Sequence, residues 1–206
     1  MLLFLELLKD SIDENYRKMY RKSNHLSIQP RETNEHLKDT FNVTLNDVCG
    51  LAGVSEMLRK ALSSDPISGV LIPRKKILLF GPPGTGKTCL VKAVAACSQF
   101  TYFSVHGSEL LIADDPEVNI QSLFQSVGKQ QPSMIFIDDI EGVCDFPPNI
   151  DLYRKVKDEL ICHIQSLNEE RCDCLVIAAT NSPWKLDPAV EHCFEHHIYI
   201  PLPGRI

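Results

Sequence analysis

Residues 81–88 read Gly81-Pro82-Pro83-Gly84-Thr85-Gly86-Lys87-Thr88, an order of residue types suited to holding phosphate. Glycines leave the backbone free to close its N–H groups around anionic oxygens, lysine adds a charged donor, and the threonine hydroxyl is a ligand for Mg2+. An apolar run, Ile77-Leu78-Leu79-Phe80, precedes the loop, and an Ala- and Val-rich stretch, Lys87 to Ser98, follows it. A strand before and a helix after is the setting in which loop amides and the positive helix end face phosphate together. With Gly near 7%, Lys taken as roughly 6% and Ser plus Thr as roughly 12%, the pattern G-x-x-x-x-G-K-[ST] arises by chance about once in 30,000 starts. A structural turn is therefore a poor competitor. In this reading Lys87 reaches the β- and γ-phosphates and Thr88 meets the metal.

A second run, Met134-Ile135-Phe136-Ile137, ends in Asp138-Asp139-Ile140-Glu141 about fifty residues after the loop. A carboxylate at such a strand end holds the Mg2+ shell beside a phosphate loop, which assigns Asp138 to the metal. The next carboxylate, Asp139, stands where an acid polarises the attacking water. A third run, Val176-Ile177-Ala178-Ala179, ends in Thr180-Asn181; a neutral amide there suits a place beside the γ-phosphate. Taken alone, Asn181 reads better as the start of the Asn181-Ser182-Pro183 turn.

These groups need a scaffold to converge. Five short apolar runs (77–80, 102–105, 134–137, 175–179 and 198–200) alternate with helical stretches. Apolar runs of this length suit strands buried on both faces of a parallel sheet. Asp114-Asp115 ahead of Pro116 marks the start of a helix to Val127. Leu152, Val156, Leu160, Ile164 and Leu167 fall on one face of a helix over 151–167. The pattern predicts a doubly wound α/β domain with no internal repeat.

The chain has 206 residues, 44% hydrophobic and 23% charged, near the globular average and sufficient for one domain with an extra segment. Lys and Arg number 21 against 27 Asp and Glu, a net charge of −6. This argues against a general nucleic-acid binder, which needs surplus cations. Residues 1–42 read as a short amphipathic helix (Leu2, Leu3, Leu5, Leu7, Leu8, Ile12) on a polar linker, and 43–206 as the folded domain. That helix either packs on the domain or contacts a partner or membrane surface. Packing is the favoured reading, because the polar face lacks the Lys/Arg enrichment expected at a membrane. No stretch is long enough for a transmembrane segment and no signal peptide is evident. Eight scattered cysteines without paired C-x-x-C ligands read as reduced thiols in a cytoplasmic protein. Cys172-Asp173-Cys174 reads as a strand start rather than half a zinc site.

The strings GPPGTGKT, IFIDDIE, AATNSPWKLDPAV and HIYIPLP together resemble the AAA ATPases. Within them the resemblance is to the group of katanin, spastin, fidgetin and the vacuolar-sorting ATPase that disassembles ESCRT filaments. It covers about residues 43–203. It implies a P-loop NTPase three-layer sandwich with a five-stranded parallel sheet, binding ATP and Mg2+. It also implies protein partners, with related AAA subunits in a ring. Carried over by position, Gly81, Pro82, Pro83, Gly84, Thr85, Gly86, Lys87, Thr88 and Cys89 line the nucleotide. Asp47, Val48 and Gly50, within the stretch Asn46 to Leu51, fall at the adenine pocket. Thr88 and Asp138 hold the metal, and Asp139, Asn181 and Lys87 are the catalytic set, with Asn181 at the sensor-1 position.

Four departures from the family pattern bear on mechanism. Asp139 replaces a glutamate, withdrawing the carboxylate by roughly 1.5 Å, and a displacement of about 1 Å costs ~10²-fold in a positioned reaction. Glu141 is expected to project elsewhere and not to compensate. The segment Glu191-His192-Cys193-Phe194-Glu195-His196-His197 contains no arginine, whereas arginine fingers are worth on the order of 10³–10⁵ in rate. Its histidines and cysteine read as degraded subunit-contact residues rather than a metal site. The pore-loop position, Leu111-Ile112-Ala113-Asp114-Asp115-Pro116, has no aromatic. The sequence ends at Ile206, before the position of the family's helical lid. Binding elements are present while hydrolysis and threading elements are altered. The expectation is an ATP-binding protein with weak or partner-dependent hydrolysis, the alternative a nucleotide-binding pseudoenzyme or regulatory subunit.

Overall fold

In the computed structural model the described residues are 52–62, 76–112, 115–144, 151–167 and 173–202. The expected N-terminal helix and linker, and Asp47, Val48 and Gly50, lie outside them. The elements run α1 (Ala52–Leu62), β1 (Lys76–Phe80), α2 (Lys87–Ala96), β2 (Thr101–His106), α3 (Glu109–Ile112), α4 (Pro116–Lys129) and β3 (Ser133–Asp138). A 3₁₀ turn (Ile140–Val143), α5 (Asp151–Ser166), β4 (Cys174–Thr180), a second 3₁₀ turn (Pro183–Lys185), α6 (Pro188–Glu191) and β5 (His196–Tyr199) follow.

The strands form one sheet in the order β2-β3-β4-β1-β5, every pairing parallel. Parallel strands require crossovers, and the intervening helices supply them on both faces. Alternate residues of one strand therefore feed two cores. Leu78, Ile135, Ile137, Val176 and Ala178 pack with Ile120, Leu123 and Val127 of α4 and Val156, Leu160 and Ile164 of α5. Ile77, Leu79, Met134, Phe136, Ile177 and Ala179 pack with Leu90, Val91 and Val94 of α2 and Leu58 of α1. The result is the three-layer sandwich.

Local chemistry sets the element ends. The Asp115 side chain accepts the N–H of Val118 and Pro116 occupies the first turn, so α4 starts where the sequence places it. The helix runs on to Lys129, past the expected end at Val127. The helix α2 stops at Ala96, two residues before the expected Ser98. The largest difference is β5, which begins two residues earlier than the run 198–200. It is an edge strand paired with β1 alone, so His197 and Tyr199 face solvent and only Ile198 is buried. The expectation of burial on both faces holds for β1, β3 and β4 and fails for this edge.

Candidate functional site

Every strand of a parallel sheet ends on the same side, so the residues after β1, β2, β3 and β4 meet at one rim. From β1 the chain enters the loop at Gly81, which is buried; a Cβ there would stand 2.2 Å from the carbonyl oxygen of Ile200. Glycine at 81 is thus demanded by the passage of the segment after β5. Gly86 caps α2 at φ +89, a left-handed conformation that other residues adopt only under strain. That turn aims the first amides of α2, which have no acceptor within their own helix, into the loop. Pro83 and Gly84 are exposed at the loop tip, Pro82 is half-buried and Thr85 is buried. The Thr85 hydroxyl donates to the Pro82 carbonyl at 3.0 Å.

Lys87 is only 6% exposed. Its ammonium donates to the carbonyls of Gly81 (2.7 Å) and Pro82 (2.9 Å), across the base of the loop. Burial lowers its pKa from the ordinary lysine value, against the opposing pull of Asp139, Asp138 and Glu141. A cation held partly desolvated among loop amides is placed to gain from a polyanion. Cys89 is exposed on the first turn of α2.

Fifty positions apart in the chain, the Thr88 hydroxyl donates to Asp138 Oδ2 at 2.8 Å. Asp138 Oδ1 accepts the N–H of Asp139 at 3.1 Å. A hydroxyl and a carboxylate side by side are the hard oxygen donors that Mg2+ prefers. The donor set therefore fits that ion.

Asp139 lies at φ +47, the only non-glycine residue at positive φ among those described. Aspartate tolerates this region better than most residues. Its two oxygens face different partners. Oδ1 accepts from the Asn181 side-chain amide at 2.7 Å, and Oδ2 lies 3.0 Å from His106 Nε2. The amide of Asn181 is therefore engaged with the acid, not merely starting a turn.

Two members of this cluster go beyond the sequence reading. His106 ends β2, in register with Asp138 across the sheet. Its Nδ1 lies 2.8 Å from the Ser108 hydroxyl and accepts the Ser108 N–H at 3.4 Å, which leaves Nε2 as the donor to Asp139. The available signal was a polar residue closing an apolar strand. Glu141 corrects an expectation outright: it does not project elsewhere. The 3₁₀ turn after β3 brings it back to the rim, where Oε1 accepts the Asn181 N–H at 3.0 Å.

The departures have structural counterparts. Asp115 is spent on capping α4, and Pro116 is buried; Ala113 and Asp114 lie outside the described residues. His192 Nδ1 pairs with the Pro188 carbonyl and the Cys193 thiol donates to that of Ala189. His197 faces Glu191 at 3.6 Å. These side chains turn to separate neighbours, and no group of three or more His, Cys, Asp or Glu among the described residues is placed to hold a metal ion. Cys193 is buried, and that burial raises its thiol pKa. The six cysteines among the described residues are free thiols; Cys49 and Cys172 lie outside them. No helix among the described residues is long and apolar enough to cross a membrane.

A parallel sheet of this strand order, with a glycine-rich loop after β1 and an acidic end on β3, defines a P-loop nucleoside-triphosphatase fold. The model of the ATPase family associated with various cellular activities (AAA) matches residues 77–202. The chain belongs to that family of ATP-binding domains. Vacuolar protein sorting-associated protein 4A of Homo sapiens is 39% identical over 173 residues, 79% of this chain and 39% of that protein. Katanin p60 ATPase-containing subunit A1 of Arabidopsis thaliana is 36% identical over 184 residues, 81% of this chain and 35% of that one. Among solved structures, the AAA domain of FIGL-1 in complex with ADP superposes with a TM-score of 0.69 at 29% identity. It covers 88% of this chain and 64% of the other. A katanin structure describing self-assembly gives 0.68 at 31% identity, covering 84% and 57%. The chain spans about two-fifths of the length of the curated relatives it matches.

Proposed function

We propose that this chain binds Mg2+-ATP at the rim formed by residues 81–88, Asp138, Asp139 and Asn181, and hydrolyses it weakly or only with partner subunits. The observation that carries the reading is the convergence of Lys87, Thr88 and Asp138, residues from two distant segments, at the mouth of one loop. The first-turn amides of α2, with Gly84 and Gly86, cradle the phosphates, and Lys87 places its ammonium on the β- and γ-oxygens. Thr88 and Asp138 hold Mg2+. When bound, that ion neutralises charge on the phosphates. Asn181 and Asp139 stand at the γ-phosphate end, where they orient water. Asp47, Val48 and Gly50 are assigned to the adenine pocket from the sequence resemblance, together with Cys89 at the loop's exit. The family domain is assigned to 43–206, with 1–42 as an appended helix and linker.

Weak turnover follows from the short carboxylate at 139 and from the absence of arginine over 191–197. The relatives of this domain include a vacuolar-sorting protein and a katanin subunit, which supports protein remodelling as the larger function and related AAA subunits as partners. The net negative charge supports protein partners rather than nucleic acid. The free thiols support a cytoplasmic setting. A second reading, favoured by Glu191 and His192 in the arginine-free segment, is a regulatory subunit or pseudoenzyme whose nucleotide state acts on a partner. Nucleotide binding measured beside radiolabelled ATP turnover tests the proposal: saturable binding with slow hydrolysis is expected. Turnover at the rate of intact family members, abolished by Lys87→Ala, would overturn the slow-hydrolysis part. Sedimentation with ATP separates the readings, since co-assembly with a full-length relative supports a mixed ring and a persistent monomer supports the regulator.

A further inference from the structure

Asp139 sits at φ +47, a conformation that persists only where the surroundings over-determine it. Here they do so from several sides. The Asp139 carbonyl accepts the N–H of Gly142 at 2.9 Å, and its own N–H donates to Asp138 Oδ1 at 3.1 Å. The exit of β2 closes on the same turn. The Gly107 N–H donates to the Asp138 carbonyl at 2.7 Å. A Cβ on Gly107 would collide with the Asp139 carbonyl oxygen, and one on Gly142 would stand 2.8 Å from the Ser108 nitrogen. The two glycines let residues 106–108 lie directly on the turn that carries the acid. The side chain is fixed as well, Oδ1 by the Asn181 amide at 2.7 Å and Oδ2 by His106 Nε2 at 3.0 Å. The main-chain N–H of Ser108 can only donate, and it points at His106 Nδ1 at 3.4 Å. The ring proton therefore belongs on Nε2, and the Ser108 hydroxyl, 2.8 Å from Nδ1, donates beside the amide.

We propose that His106 is a positioning residue for hydrolysis: with Ser108 fixing its tautomer, it holds the short Asp139 carboxylate at the angle from which that acid orients the attacking water. The assignment rests on the Mg2+-ATP reading of the site and keeps Asp139 as the acid. A carboxylate offers about four lone-pair sites, and the donors on Asn181 and His106 take one on each oxygen. The others stay open to water, which reaches the pair because the side chains of His106 and Asp139 are 44% and 37% exposed. Aspartate reaches less far than glutamate by roughly 1.5 Å and has one torsion fewer. An error in its angle is therefore not absorbed further along the side chain. A single donor would leave the carboxylate free to swing. Two donors, one ending β2 and one following β4, grip the end of β3 from the strands on either side of it.

The test uses the full chain and three probes: Mg2+-ADP, radiolabelled Mg2+-ATP, and Mg2+-ADP with aluminium fluoride as a mimic of the transferring phosphoryl group. His106→Leu removes the donor, and His106→Gln returns an N–H to a similar reach. His106→Leu is expected to lower kcat by ~10–10²-fold while KM for ATP and the affinity for Mg2+-ADP stay within about twofold. His106→Gln is expected to bring kcat back to within ~5-fold of wild type. A residue that merely supports the fold would move the melt and both constants together and would not distinguish Gln from Leu. Where wild-type turnover is below detection, the aluminium fluoride complex is read instead, at least ~10-fold weaker in His106→Leu and restored in His106→Gln. Turnover in His106→Leu equal to or above wild type, an equal loss in both variants, or a loss carried by KM overturns the proposal. So does a wild-type chain that binds Mg2+-ADP yet neither turns over ATP nor forms the aluminium fluoride complex. Should His106→Leu fail to melt cooperatively, His106→Ala is read the same way. A folded wild-type chain that does not bind Mg2+-ADP refutes the nucleotide reading itself, a result distinct from the role of His106.

Discussion

Replacing Lys87 by methionine separates what this residue does for the fold from what it does for the ligand. Its ammonium is buried, with pKa lowered by burial, and holds the carbonyls of Gly81 and Pro82 at 2.7 and 2.9 Å. Met matches the stem without the charge. Two loop carbonyls lose a donor at about 1 kcal/mol each, and the desolvation of a buried ammonium is relieved at the same time. These effects oppose each other, so stability in a urea melt is expected to change by no more than about 1 kcal/mol. Affinity behaves differently. A charge-assisted hydrogen bond to phosphate is worth about 1.5–3 kcal/mol, and two such bonds, less the carbonyl bonds given up, leave about 3 kcal/mol. At 1.4 kcal/mol per tenfold, Mg2+-ATP binding should weaken by ~10²-fold in a calorimetric titration. Equal affinity for both proteins would refute the role of Lys87. A variant destabilised by several kcal/mol with unchanged affinity would show the residue to be structural instead.

Two further outcomes concern the scaffold. Lys157 hydrogen-bonds Asp187, the cap of α6, and chiefly through that bond holds its carboxyl below the ordinary value of 3.8. A lowered folded pKa adds stability that is present above the ordinary value and lost as pH falls through the folded one. Asp187→Asn keeps the cap and removes the charge. It should therefore cost about 1 kcal/mol in melts near neutral pH, the pair being partly exposed, and the gap from wild type should close in acid; a gap independent of pH would contradict this. Ile177, wholly buried in the central strand β4, should cost ~2–5 kcal/mol as Ile177→Ala, read from the urea midpoint, and a loss below ~1 kcal/mol would mean the core is not packed as described.

Where a local rule governs the outcome, the chain was readable from its residues. The loop 81–88 lies between a strand and a helix because glycines and the flanking apolar runs demand it, and α4 starts at Pro116 because Asp115 caps it. The meeting of Thr88 with Asp138 follows from the parallel sheet that the alternating elements imply. Long-range register was not legible. His106 reaches Asp139 only because β2 and β3 pair with His106 opposite Asp138, and no spacing within the chain records that. Glu141 departs from the direction a simple strand exit implies because a left-handed Asp139 and a 3₁₀ turn fold it back onto Asn181. The exposure of β5 depends on its place at the sheet edge, a property of strand order and not of its apolar residues.

The most direct measurement is a calorimetric titration of the folded full chain with ATP, with and without Mg2+, repeated on Asp138→Asn. Loop amides, Lys87, Thr88 and Asp138 acting together predict saturable heat with Mg2+-ATP, weaker binding when the metal is chelated, and the same weakening in the variant whether or not metal is present. A cooperatively melting protein that releases no heat of association, or binds equally well without Mg2+ and without the Asp138 carboxylate, would contradict it.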